Sequence, residues 1–227
     1  MRATAIVPVK RFSRAKQRLA KALSPAARAD LCREMLADVL EAIAESSEIE
    51  SVLVVTREWD LPIVEVPWTQ VSDARRSSHS TAAQRGIARA VADGAECVAL
   101  LPGDCPLLDP AEIDGALGRA RRGRVGIVPD RHGSGTNALI LCPPDSIEPA
   151  FGPGSRERHE KLARGFGHEA AIERLYSLSL DVDTYEDLTV LRQALDRNPK
   201  LAPRTAAKLA ELRRDVEPAT RRGSVAR

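Results

Sequence analysis

Short apolar runs alternate with stretches of helical periodicity along almost the whole chain, and this alternation most restricts the fold. Residues 3–9, 51–56, 98–101, 124–129, 136–141 and 176–180 each have the length and composition of a strand, and 62–66 is a shorter candidate. Between the first two, Leu31, Met35, Val39 and Ile43 recur at helical spacing behind Ser24 and Pro25, an N-cap followed by a first-turn proline. That helix is expected to reach about Ser46. Others are expected over 81–93, 110–121 and 155–163, and from Asp183 or Thr184 to about Arg197, whereas 71–80 reads as a polar loop. The pattern predicts an α/β fold with a mainly parallel sheet and helices on both faces. The two strands flanking Gly133 and Gly135 stand close enough in sequence for an antiparallel excursion.

Chemistry concentrates at the ends of these runs. The stretch V-A-L-L-P-G-D-C-P sets Asp104 directly after a buried strand, where open α/β sheets place their ligands. A carboxylate there is a hard oxygen donor suited to Mg²⁺, which takes one or two carboxylates beside substrate phosphates; it can equally cap a turn. The first strand runs into Lys10, Arg11, Arg14, Lys16 and Arg18, five cations in nine residues. Such a loop can wrap a triphosphate, or simply be a solvated basic segment. It matches neither G-x-x-x-x-G-K-[ST] nor G-x-G-x-x-G. G-S-G-T-N offers close backbone approach at Gly135 and a hydroxyl at Thr136. F-G-P-G-S joins Gly152 to a helix start, where free N–H groups and the Ser155 hydroxyl suit an anion. Each of these two loops alone is also an ordinary turn. Asp181 or Asp183 is a candidate second metal carboxylate, and Asp183 a candidate cap.

A cationic loop after the first strand and a carboxylate after a central one are what nucleotidyl transfer requires, because charge builds on the α-phosphorus and on departing pyrophosphate. Lys10, Lys16, Arg18 and Asp104 are therefore the catalytic candidates. His79, His132, His159 and His168 have no metal-ligand spacing and complete no Ser/His/Asp set. The formal net charge of +2 and an aromatic content of 3% oppose nucleic acid as the partner. The alternatives are another nucleotidyltransferase of the same fold, of cytidylyl or molybdopterin type, or a non-enzymatic polyanion-binding protein. Cys32, Cys97, Cys105 and Cys142 include no C-x-x-C pair and lie mostly in or beside core segments, which favours reduced thiols over disulfides or zinc. No apolar run approaches membrane-spanning length, so a soluble, cytoplasmic protein with no membrane partner is expected. The expected organisation is one domain over 1–198 and a basic tail over 199–227, with one amphipathic turn near 206–212.

Five stretches, V-P-V-K-R-F-S-R-A-K-Q-R-L, L-P-G-D-C-P-L-L, V-P-D-R-H-G-S-G-T-N-A-L, F-G-P-G-S-R-E-R-H and D-V-D-T-Y-E-D-L, resemble in content and order the guanylyltransferases of deazaflavin coenzyme F-420 biosynthesis, which act on 2-phospho-L-lactate or phosphoenolpyruvate. The resemblance spans roughly residues 5–190. It implies a Rossmann-like nucleotidyltransferase fold of the type A glycosyltransferase kind, with GTP as donor, Mg²⁺ as cofactor and a phosphorylated three-carbon acid as acceptor. Carried over by motif, Lys10 lies near the phosphates, Asp104 holds metal, and Thr136, Gly152 and Ser155 hold the acid; the reading of the residues adds Arg11 and Lys16 near the nucleotide, Gly135 near the acid and Asp183 near the metal. The family often carries L-N-x-A-L ahead of the next helix; here the stretch is H-S-T-A-A, and Ser80 stands about where that Asn would contact the nucleotide. The departure bears on base and ribose contacts, and on 3-phospho-D-glycerate as a third acid. A homodimer, or transfer of product to a downstream enzyme, is left open.

Overall fold

In a computed structural model, which describes residues 2–216, the alternating runs assemble into one seven-stranded sheet. The strands are β1 (Ala3–Val9), β2 (Ile49–Thr56), β3 (Thr69–Ser72), β4 (Cys97–Leu100), β5 (Arg124–Pro129), β6 (Thr136–Cys142) and β7 (Glu169–Ile172), in the order β3-β2-β1-β4-β6-β5-β7. All neighbours are parallel except β6, which runs antiparallel to both β4 and β5. This is the expected excursion, set in a Rossmann-like α/β fold.

The helices are α1 (Pro25–Ala44), α2 (His79–Ala92), α3 (Pro110–Gly118), α4 (Ser155–Gly165), α5 (Tyr185–Arg197) and α6 (Pro203–Val216). Alternate strand residues serve opposite faces: Ala5 and Val7 meet the apolar stripes of α1, α3 and α5, while Ile6 meets α2. Local chemistry starts these helices. The Ser24 hydroxyl accepts from the Ala27 N–H ahead of Pro25, Asp109 caps ahead of Pro110, and Thr184 with Asp187 forms a capping box. Each cap is worth about 1 kcal/mol.

Several expectations need correction. Residues 62–66 form no strand; the strand is β3, inside the segment read partly as polar loop. It is an edge strand with half its surface in solvent, so apolar patterning is not demanded of it. Residues 176–178 form a 3-10 turn, and the last strand is β7, a short edge whose E-A-A-I carries little apolar signal. Cys97 and Cys142 form a disulfide, contrary to the expected reduced thiols, while Cys32 and Cys105 are free and buried. The antiparallel register pairs Val98 with Leu141 and brings the two flanking cysteines to a Cα–Cα distance of 4.5 Å. Their core location, taken as an argument against a disulfide, is what juxtaposes them.

The expected division at residue 198 falls just after α5, and the packed body continues beyond it. Ala202, Thr205 and Leu209 are buried, and Asp38 of α1 accepts from the N–H groups of Arg204 and Thr205 at the start of α6. The amphipathic turn is thus part of a full helix docked on α1. Residues 217–227 of the expected tail lie outside the described residues. Among the described residues no helix is long and apolar enough to cross a membrane.

Candidate active site

A cleft of about 390 Å³ opens at the carboxyl ends of β1 and β4, where the chain departs toward opposite sides of the sheet. Its two walls differ in kind.

One wall is charged. After β1 the loop is anchored by Phe12 and Leu19, both buried, and by the buried Glu58, which accepts from the Phe12 N–H at 2.7 Å. Between these anchors Lys16 adopts a left-handed conformation (φ 52°), which turns its side chain inward until only 5% is exposed. Its ammonium bonds to Asp104 Oδ2 and, at 2.8 Å, to Asp183 Oδ1. Asp104 is delivered by Pro102 and Gly103 after β4. Gly103 lies so close to Leu36, Val7 and Val9 that an added Cβ would sit 3.2–3.3 Å from them. Asp183 arrives from far along the chain because the Val182 N–H bonds to the Asp104 carbonyl at 3.2 Å. Val182 is buried, which leaves Asp181 and Asp183 on either side of it, both lining the cleft.

The charges explain the protonation equilibria. Burial alone would drive Lys16 toward neutrality, but Asp104 and Asp183 override it and raise its pKa. Burial likewise works against Asp104, yet the Lys16 ammonium holds its carboxyl below the usual range. Among the described residues no cation is paired with Asp181; burial, then the charges of Asp104 and Asp183, raise it. Burial pushes the Cys32 thiol, which also reaches the cleft, up to about 11, so it is no nucleophile.

The opposite wall is neutral. Thr136 opens β6, and its hydroxyl lies 3.0 Å from Nδ1 of His159, a fully buried residue of α4. The Ala150 N–H donates to His159 Nε2 at 2.8 Å. The Phe151 ring stands edge-on to both His79 and His159, with centroids 4.6 and 5.4 Å away. Gly152 then takes φ +118°, which a side chain would resist. Asn137 donates to the Leu178 carbonyl at 2.8 Å and to Asp181 at 3.3 Å, linking this wall to the charged one.

Of the expected site residues, Lys10, Lys16, Asp104, Thr136, Gly152 and both alternatives for the second carboxylate, Asp181 and Asp183, line the cleft. The others do not. Arg11 is exposed, and Arg18 faces a separate depression with Lys21, Thr184, Tyr185 and Glu186. Gly135 closes the loop: a Cβ there would lie 2.5 Å from Asp130 Oδ2. Ser80 accepts from the Phe151 N–H at 2.9 Å and thus braces the Gly152 loop from α2. Ser155 begins α4, with its hydroxyl buried and without a hydrogen-bond partner among the described residues. Thr184, not Asp183, caps α5, which frees Asp183 for the cleft. Arg14, His79, Asn137 and Phe151 add further polar or aromatic groups to the lining. All four of Arg14, Asn137, Phe151 and His159 sat inside the quoted motifs; what the motifs did not carry was a role for Phe151 and His159, which depends on the contacts of the His159 ring with Thr136, Ala150 and Phe151.

Among the described residues no group of three or more His, Cys, Asp or Glu side chains forms a ready metal cluster. Lys16 stands between the two carboxylates instead. The donor set nevertheless fits Mg²⁺: Asp104 and Asp183 offer hard oxygens, and Asp181 brings a third carboxylate to the same part of the cleft, where the Lys16 ammonium is bonded to the other two.

The comparisons bear on the family and the fold. The family model described as "Guanylyl transferase CofC like" matches residues 3–218. A phosphoenolpyruvate guanylyltransferase from Conexibacter woesei is 41% identical over 214 residues, covering 92% of this chain and 96% of that protein. A 2-phospho-L-lactate guanylyltransferase from Methanothermobacter thermautotrophicus is 34% identical over 191 residues, 83% of each. Among solved structures, a protein from Desulfovibrio desulfuricans G20, titled as a nucleotide-diphospho-sugar transferase, superposes with a TM-score of 0.71 at 19% identity, covering 94% of this chain and 98% of that one. That likeness shows the fold.

Proposed function

Because the chain belongs to the CofC-like guanylyl transferase family and is a nucleotidyltransferase, we propose that it transfers GMP from GTP to the phosphate of a three-carbon phosphorylated acid, phosphoenolpyruvate or 2-phospho-L-lactate, in the making of coenzyme F-420. The observation that carries this reading is the pairing of walls across one cleft. Cations and carboxylates suited to a triphosphate face a neutral, hydrogen-bonding wall suited to a small anion.

In this reading an oxygen of the acid's phosphate attacks the α-phosphorus of GTP. The bond from that phosphorus to the β-phosphate bridge breaks, and pyrophosphate leaves with the electron pair. The attacking phosphate is already ionised at neutral pH, so no general base is needed and positioning carries the rate. Lys10, Arg14 and Lys16 offset the triphosphate's charge, while Thr136 and the backbone at Gly152 hold the acid; the Ser155 hydroxyl, buried behind the Gly152 turn without a partner among the described residues, is the donor left to add to them. Mg²⁺ would be held by Asp104 and Asp183 with Asp181 beside them, and supplies neutralisation of phosphate charge.

The test is mass spectrometry of the products from GTP or CTP offered with phosphoenolpyruvate, 2-phospho-L-lactate and 3-phospho-D-glycerate in turn, with Mg²⁺ present. The expected product is a guanosine diphospho-linked acid with pyrophosphate released. A product formed from CTP alone would overturn the donor assignment.

A further inference from the structure

His159 is completely buried, yet it bears two ring nitrogens that must each be satisfied. Their partners leave it a single choice. Nε2 faces the Ala150 N–H at 2.8 Å, and a backbone amide can only donate, so Nε2 must carry the lone pair. A neutral imidazole then holds its one proton on Nδ1. That proton points at Thr136 Oγ1, 3.0 Å away. A doubly protonated ring would set one donor against another at Ala150, and burial opposes it as well, holding the imidazole near a pKa of about 4.

The consequence falls on Thr136. A hydroxyl has one proton to give and two lone pairs. With His159 occupying a lone pair, the hydroxyl's own proton is not spent on the imidazole. Among the described residues His159 is its only hydrogen-bond partner, and Thr136 lines the cleft. We propose that His159 is a positioning residue for the phosphorylated acid: by donating to the Thr136 oxygen it turns the Thr136 hydroxyl proton toward the anion in the cleft. The opposite tautomer would take that proton for itself and aim a lone pair at the anion. The same ring accepts from the Ala150 N–H and packs on Phe151, but the loop that carries Gly152 has other anchors: Arg158 donates to the Ala150 carbonyl and Ser80 accepts from the Phe151 N–H, so the contact specific to His159 is the one with Thr136. This inference rests on the proposed contact between Thr136 and the acid, and the experiment separates the two.

Leu and Asn have nearly the same shape, but only Asn places an N–H donor where Nδ1 stood; both lose the Ala150 partner equally. His159→Leu should raise KM for phosphoenolpyruvate about tenfold or more and leave KM for GTP within about threefold, whereas His159→Asn should restore phosphoenolpyruvate to within about threefold of wild type. Thr136→Val should raise the same KM, and adding His159→Leu to it should bring little further loss. If Thr136→Val leaves phosphoenolpyruvate unaffected, the Thr136 contact is wrong. If Thr136→Val acts but the Leu and Asn variants are alike, or the double variant multiplies the two losses, His159 is only a packing residue and the proposal fails. Should the His159 variants not fold, proton–nitrogen correlation spectra of the wild-type enzyme labelled with nitrogen-15 histidine decide it. The expected signal is a neutral imidazole protonated at Nδ1, and a proton on Nε2 overturns the proposal.

Discussion

Lys16, Asp104 and Asp183 meet through full charges, with the Asp104 side chain a third and that of Asp183 half in solvent; Thr136, His159 and Ala150 meet through neutral hydrogen bonds among buried or partly buried groups. The two walls line one cleft, yet they are held by different forces. The charged wall is screened by salt where its carboxylates are exposed, and its balance shifts with every ion that enters. The neutral wall is insensitive to salt and already has its donors aimed. A polyanion and its cation suit the first; a small anion of fixed shape suits the second.

The sharpest way to break this comparison is Asp104→Asn. Lys16 keeps Asp183 as a partner, so the fold should survive, with turnover falling on the order of 10²–10³-fold. Pyrophosphate release at saturating GTP, phosphoenolpyruvate and Mg²⁺ measures it. Turnover within about tenfold of wild type would remove Asp104 from the chemistry.

Ser155→Ala probes the neutral wall and should separate binding from stability. The Ser155 hydroxyl is buried without a partner, a state that costs about 1–3 kcal/mol. Removing it should leave Tm unchanged or higher, while KM for phosphoenolpyruvate rises about tenfold or more and KM for GTP barely moves. A drop in Tm with both KM values unchanged would make Ser155 a structural cap and nothing else.

The charged wall was the more legible of the two in the sequence, for a physical reason. Lys10 and Asp104 follow closely on strand ends and Lys16 lies in the basic loop that the first strand runs into, and strand ends are readable from apolar runs. What could not be read was that Val182 would hydrogen-bond Asp104 and carry Asp181 and Asp183 across the cleft, since that contact joins residues far apart in the chain. The neutral wall was half visible. Its glycine loops announced themselves, but a buried histidine on a polar helix looks like any other until its two partners are known. Ser80 shows the same limit: its position matched the nucleotide side by motif, whereas its hydroxyl braces Phe151. In the fold, buried strands were found nearly to the residue, while the edges β3 and β7 were missed because half-solvated strands need no apolar pattern.

Gly86→Ala tests how far α2 supports the neutral wall. A Cβ there would lie 2.3 Å from Ile6 Cγ2 and 3.0 Å from Val55 Cγ2, so α2 must move off the sheet. The cost should be about 1–3 kcal/mol, read as a lower Tm. Because α2 carries His79 and Ser80 against Phe151, KM for phosphoenolpyruvate should rise more than KM for GTP. Equal rises would mean that α2 supports both walls alike.

The smallest effect is the most specific to one wall. Burial, then the charge of Arg158, depress the His159 pKa from 6.5 to about 4 in the folded protein. Below pH 6.5 the unfolded chain therefore takes up a proton that the folded one refuses. Stability falls as pH drops through this window and levels off near pH 4. At pH 5.5 the loss relative to neutral pH should be on the order of 1 kcal/mol. His79, lowered mainly by burial, adds to it with the same sign; Asp38 and Asp181, raised mainly by burial, act in the opposite sense. Asp104 is silent here, because its lowered pKa keeps its contribution intact until pH falls below the ordinary carboxylate range. Comparing Tm of the wild type with that of His159→Leu at each pH cancels what the two proteins share. The wild type's margin should narrow between pH 7 and pH 5.5. Parallel curves would mean that His159 ionises as freely in the folded protein as in the unfolded chain, and Nε2 could then not be the acceptor for the Ala150 N–H.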